Sequence, residues 1–172
     1  MELKKYQQSA LDKLRAYLKG IEAVGPKYAF MGETDRPYHG DFFGDVPFVC
    51  VKIPTGGGKT LVGCHAVNEI MRSFLKHKMD RGIVMWFVPS EAIKTQTLKK
   101  FKDRNDWHRQ ALDEAFQNGV RIFSNEEALR IRKEDVQDNL CIIISSLEAF
   151  RKEKTLQKKY KVYQENGALL SH

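Results

Sequence analysis

The stretch Pro54-Thr55-Gly56-Gly57-Gly58-Lys59-Thr60 constrains this chain more than any other. It follows the apolar run Phe48-Val49-Cys50-Val51-Lys52-Ile53 and precedes Val62, Val67, Ile70, Met71, Phe74 and Leu75 at helical spacing. Strand, glycine turn and helix in that order are the setting a phosphate-binding loop requires. Consecutive glycines let the backbone curl with its N–H groups turned inward, a nest suited to phosphate oxygens. The helix start behind them adds unpaired N–H groups and the positive end of its dipole. From there Lys59 reaches the β- and γ-phosphates as a mobile point charge, and the Thr60 hydroxyl can ligate Mg²⁺. The strict pattern has glycine where this chain has Ile53. An ordinary glycine-rich turn needs neither the strand before it nor the helix after it, so phosphate binding is the better reading.

The chain's totals frame that loop. At 172 residues there is room for one domain with a real core and none for two of usual size. A formal net charge of +7 and a pI near 9.3 favour an anionic partner without identifying it. Cys50, Cys64 and Cys141 are widely spaced in apolar surroundings, which reads as reduced core thiols of a cytoplasmic protein. No apolar segment opens the chain as a signal peptide would. The apolar run 83–88 falls far short of the ~20 residues of a membrane span, so no membrane association is expected.

Residues 3–18 put Leu3, Tyr6, Ala10, Leu11, Leu14 and Leu18 on one helical face; periodicity alone places Tyr6 in the core and Gln7 at the surface. From 20 to 47 the pattern dissolves. Gly20, Gly25, Pro26, Gly32, Pro37, Gly40, Gly44 and Pro47 predict a long surface loop, and its Glu33, Asp35, His39, Asp41 and Asp45 match no metal-ligand frame. Residues 76–81 read as a charged connector. The run 82–88 predicts a strand buried on both faces, ended by Pro89. Ser90 is a suitable N-cap for a helix through Phe101, with Ile93, Leu98 and Phe101 turned to the core. Lys94, Lys99, Lys100, Lys102 and Arg104 make that helix basic, which a solvated face explains as well as a nucleic-acid contact does.

Asp106 is the N-cap of a short helix over 107–116, where Leu112-Asp113-Glu114-Ala115-Phe116 imitates an Asp-Glu ATPase motif. That motif must leave the end of a buried strand to reach Mg²⁺, and here a helical stretch precedes it, so it is rejected. Residues 120–123 form a short strand candidate, and Ser124-Asn125-Glu126-Glu127 a capping box opening a brief helix. Residues 140–144 read as a buried strand, followed by a helix start at Ser145-Ser146-Leu147-Glu148. Residues 151–161 are strongly basic and read as a helix or tail. Strands alternating with helices give an α/β fold class, a mostly parallel sheet flanked by helices in a P-loop NTPase architecture. Composition and periodicity reach nucleoside-triphosphate binding and no reaction.

Four pieces in order carry a resemblance. They are Leu3-Lys4-Lys5-Tyr6-Gln7 with Ala10-Leu11, the phosphate loop, Val88-Pro89-Ser90-Glu91-Ala92-Ile93, and Ile144-Ser145-Ser146-Leu147 with Phe150. In that order the chain resembles the first motor domain of a superfamily 2 helicase, most of all the restriction (Res) subunit of type III restriction enzymes. Many members of that superfamily also lack the first glycine of the strict loop. The resemblance implies ATP and Mg²⁺ as cofactors. Gln7 would read the adenine edge, with Tyr6 supporting the base. Pro54, Thr55, Gly56, Gly57, Gly58 and Lys59 would hold the phosphates, and Thr60 the metal. Pro89, Ser90 and the helix after them, with Lys94, would lie near a nucleic-acid backbone, as would Ser145 and Ser146.

One family motif has no counterpart. An Asp-Glu pair is expected on a further strand after Ser145-Ser146, and residues 150–172 hold neither an apolar strand nor such a pair. The chain therefore reads as a partial RecA-like motor domain over 1–172. Its parts are an N-terminal helix at 1–19, a loop insertion at 20–47, a P-loop core at 48–150 and a basic tail at 151–172. It carries the substrate cradle without the carboxylate that positions water, so no turnover of its own is expected. The leading reading is the N-terminal ATP-binding part of an ATP-dependent DNA helicase or translocase. A small P-loop kinase and a non-catalytic nucleotide- or nucleic-acid-binding fragment are the alternatives. The implied partners are DNA or RNA, a methyltransferase subunit, and another chain supplying the remaining motor strands. In the motor fold those strands flank the phosphate-loop strand, so 48–53 is expected to lack a ladder partner.

Overall fold

In the computed structural model, which describes residues 2–75, 81–117 and 119–148, helix α1 occupies Lys5–Thr34. Its length corrects the loop expected from residue 20 onward. Gly25 takes φ 77° and ψ 165°, and Pro26 begins a second helical arm. Glycine past a helix end and proline at the first position of the next are the residues a sharp helix-to-helix junction selects. Gly20, another supposed loop residue, lies where the arms meet, since a Cβ there would sit 3.2 Å from the Ala29 Cβ. Tyr17 packs edge-on against Phe30, and Phe30 against Tyr38, with Leu14, Leu18 and Ala29 in the same cluster.

The chain divides into two units, residues 1–79 and 80–172. In the first, α1 packs on α2 (Lys59–Ser73). Leu61, Val62, Cys64, Val67 and Met71 line the buried face of α2, while Ile70, Phe74 and Leu75 are exposed despite their spacing. Arg15 grips Glu69 with two bonds, Nε to Oε2 at 2.8 Å and Nη2 to Oε1 at 2.7 Å, a fork that fixes how the helices are aligned. Between them, a 3₁₀ turn at Asp41–Phe43 is followed by residues 47–54, which belong to no helix or strand. The stretch 48–53, read as a strand, thus joins no ladder among the described residues. Cys50, expected inside, is exposed, whereas Cys64 and Cys141 are buried.

The second unit is an α/β layer. Strands β1 (Gly82–Val88), β2 (Val120–Ser124) and β3 (Leu140–Ser146) form a parallel sheet in the order β1-β3-β2. β3 lies in the middle and is buried throughout, as its Leu-Cys-Ile-Ile-Ile run predicts. It runs two residues longer than expected and takes in Ser145 and Ser146. β1 is not buried on both faces: it is an edge strand, and Ile83 and Phe87 are exposed. Trp86 turns the other way, edge-on to Phe101 of α3 (Glu91–Lys102). Ile93, expected on the core side of α3, is exposed instead.

The caps read at Ser90, Asp106 and Ser124 are present, while the helix start read at Ser145 gives way to β3, which keeps Ser145 and Ser146. Ser90 accepts from the Ile93 N–H at 3.4 Å, and Asp106 from the His108 N–H at 2.8 Å at the start of α4 (Trp107–Ala115). Ser124 and Glu127 exchange reciprocal bonds at 2.8 and 3.2 Å, opening a 3₁₀ turn at Glu127–Arg130. Helix α5 (Lys133–Asp138) has no counterpart in the sequence reading. The basic tail at 151–172, Phe150 and most of the 76–81 connector lie outside the described residues. Among the described residues, no helix is long and apolar enough to cross a membrane.

Candidate functional site

The glycine loop curls as its composition requires. Gly56 and Gly58 take φ 74° and 75°, a region L side chains resist, and the Gly57 N–H closes a turn onto the Pro54 carbonyl at 3.0 Å. Helix α2 starts at Lys59, with Gly58 at its N-cap and no side-chain cap on its first turn. Its leading N–H groups therefore face whatever occupies the loop. The Lys59 amine is folded back onto the Pro54 carbonyl at 2.9 Å. Thr60 follows directly in the first helical turn.

Ile53 has a structural reason. It is buried with Leu11 and Val62, and its Cγ2 lies 2.8 Å from where a Cβ on Gly57 would stand. The isoleucine fills the floor beneath the loop, where the strict motif's glycine would leave a void.

Tyr6 and Gln7 reverse the placement that periodicity assigns them. Gln7 is 3% exposed and Tyr6 42% exposed. The Gln7 amide donates to the Gly57 carbonyl at 2.9 Å, and its oxygen accepts from the Lys4 N–H at 2.8 Å, closing the first turn of α1. The Tyr6 hydroxyl donates to the same Gly57 carbonyl at 3.0 Å. Gly58 is required by its positive φ, and a Cβ there would also press on the Gln7 amide nitrogen, 2.6 Å away. The start of α1 thus meets the phosphate loop about 50 residues away, a meeting no spacing in the sequence announces.

In the second unit the register pairs Val88 with Ser146 and Phe87 with Ser145. The two motif pieces, Pro89-Ser90 and Ser145-Ser146, therefore leave the carboxyl ends of neighbouring parallel strands. That end of an open α/β sheet is where such folds bind ligands. Pro89 is exposed and Ser90 half-buried, but Ser145 and Ser146 are buried. The Ser146 hydroxyl donates to Glu91, and the Ser145 hydroxyl makes no hydrogen bond among the described residues.

Lys94 is 7% exposed and already engaged, by Glu91 at 2.8 Å, Asn125 at 2.9 Å and Glu126 at 3.3 Å. Burial pushes its amine down, and the two carboxylates more than offset this, so its pKa ends above the ordinary lysine value. Hydrogen bonds from Lys94 and Ser146 hold Glu91 below the usual carboxylate range. Sequence reasoning missed this cluster because its members lie 31 and 32 residues apart and meet only through the packing of α3 on the sheet.

Asp113 and Glu114 sit in α4, with Asp113 in an ion pair to Arg109 at 2.9 Å, in a helix and not following a strand as the motif requires. Arg109 is itself interior, donating to the carbonyls of Phe101 at 3.2 Å and Val120 at 2.9 Å. No group of three His, Cys, Asp or Glu able to hold a metal occurs among the described residues. The phosphate loop fits a polyphosphate: two positive-φ glycines, an uncapped helix start, and Lys59 on a bond it can exchange.

The family model described as type III restriction enzyme, res subunit, matches residues 1–170. No curated protein and no solved structure matches the chain.

Proposed function

The chain belongs to the family of type III restriction enzyme res subunits, a family of helicase-like ATP-binding motor domains, and on that premise we propose that it is the ATP-binding part of an ATP-dependent DNA translocase. The observation that carries the proposal is the curl of Gly56–Gly58 into an uncapped α2. In this reading the amides of residues 56–60 hold the phosphate chain. Lys59 leaves the Pro54 carbonyl for the β- and γ-oxygens, exchanging a neutral acceptor for a charged one. Thr60 supplies a hydroxyl to Mg²⁺, whose charge would neutralise the phosphate oxygens. In this reading Gln7 meets the adenine edge with the amide N–H and oxygen lone pair left over from its bonds to Gly57 and Lys4, so base recognition is tied to the state of the loop.

DNA is the proposed track, lying across the strand ends at Pro89-Ser90 and Ser145-Ser146 with contacts to its backbone. The buried serines contribute through the strand end they shape, and Lys94 through its hold on Glu91 and Glu126. A methyltransferase subunit is the partner this family membership suggests.

Calorimetric titration tests the site. Mg-ATP is expected to bind the chain, and Lys59→Ala to weaken binding by about tenfold or more, the worth of charge-assisted hydrogen bonds. Equal affinity of the two would overturn the assignment.

A further inference from the structure

Tyr6 is 42% exposed, so burial of its ring does not explain a tyrosine there; its hydroxyl, 3.0 Å from the Gly57 carbonyl oxygen, does. We propose that Tyr6 is a positioning residue of the phosphate loop, setting the direction of the Gly57 peptide for any ligand that carries the phosphates, whatever its base. The inference rests on the reading of that loop as the ATP site.

A carbonyl oxygen has two lone pairs, and here Tyr6 and Gln7 take one each, at 3.0 and 2.9 Å. The peptide after Gly57 is trans, as all are among the described residues. In a trans peptide the C=O and the following N–H point in opposite directions. Holding the Gly57 oxygen against the start of α1 therefore aims the Gly58 N–H away from α1. Gly57 and Gly58 have no side chains to hold that plane, and glycine backbone crosses between conformations more freely than any other. The two donors supply what the glycines lack. Gln7 is also tied to the Lys4 N–H at 2.8 Å, which fixes it to the helix start, and the Tyr6 hydroxyl is the second strut.

A residue that supports a base and one that orients a phosphate-binding peptide differ in a measurable way. The second must act on a ligand with no base. The test is calorimetry of Mg-ATP, Mg-GTP and Mg-tripolyphosphate with the full chain and with Tyr6→Phe, which removes only the hydroxyl. The expected result is a loss of about three- to tenfold, the worth of one hydrogen bond, by the same factor for all three ligands. The thermal midpoint should fall by no more than the few degrees that one hydrogen bond is worth. Without ligand, amide hydrogen exchange at 56–58 should quicken while that at 64–71 in α2 does not, a pattern that general destabilisation would not produce.

Weaker ATP and GTP binding with unchanged tripolyphosphate binding would place Tyr6 at the base and overturn the proposal. A Tyr6→Phe chain that binds all three as the wild type does removes this inference alone. A wild-type chain that binds none of them removes the ATP-site reading and this inference together.

Discussion

Ile53 shows at the scale of one residue why a motif departure need not be a defect. Its side chain is buried against Leu11 and Val62 and touches the space a Gly57 side chain would need. Restoring the glycine of the strict pattern should therefore harm this chain. Removing the side chain costs about 2–5 kcal/mol as an unfilled core position, and glycine adds about 1 kcal/mol of backbone freedom. Denaturant unfolding of Ile53→Gly should show that loss; stability equal to the wild type would mean that Ile53 is not the floor of the loop. Gly57 and Gly58 are irreplaceable on different grounds. At Gly57 a Cβ would lie 2.9 Å from the Pro54 carbonyl oxygen, which is backbone, while at Gly58 it would meet Gln7 and oppose a positive φ.

At the scale of elements, side chains distant in sequence decide how helices seat on the sheet. Arg109 ties the end of α3, α4 and β2 through two carbonyls and Asp113. On the other flank of α3 the carboxylates form a titrating group. Glu127 is held below its ordinary value by a hydrogen bond from Lys102. Glu126 is pushed up by burial but carried lower overall by bonds from Ser124 and Lys94, and Glu91 is lowered by Lys94 and Ser146. A folded-state pKa below the unfolded one stabilises the fold at pH above the unfolded value, and that gain disappears as pH falls through the folded value. The unfolding midpoint should therefore hold steady above the ordinary carboxylate pKa of 4.5 and drop below it. Glu91→Gln together with Glu127→Gln should flatten that acid limb; an unchanged limb would assign acid loss to other groups. These carboxylates are well exposed, so the effect should also weaken with salt.

For the whole molecule, the stretch 48–53 matters most. Its backbone joins no ladder among the described residues, and Phe48 and Val51 are exposed, as are Phe42, Phe43 and Val46. Phe43 stacks on Phe48 at 5.0 Å, making one apolar surface. A segment outside any ladder with exposed apolar side chains invites pairing with another strand. The 172 residues are therefore expected to self-associate through this surface. A chain that stays monomeric in sedimentation as its concentration rises would sink that idea.

Local chemistry was enough for much of this protein. Glycine's freedom specifies the curl of the loop before α2, Ser90, Asp106 and Ser124 specify their caps, and an unbroken apolar run specifies the buried β3. Each of those depends on residues a few positions apart. The helical arm beyond Gly25 was legible in principle, since Gly25-Pro26 marks a junction between helices as readily as a loop. What tertiary structure alone decided are the meetings across distance. Gln7 turns inward because Gly57 offers a carbonyl 50 residues on, and Lys94 turns inward because Asn125 and Glu126 arrive beneath it. Exposure of Phe87 and Ile83 follows from the position of β1 at the sheet edge, which depends on strand order. Periodicity shows which face of an element is apolar; only the packed structure shows whether anything lies against it.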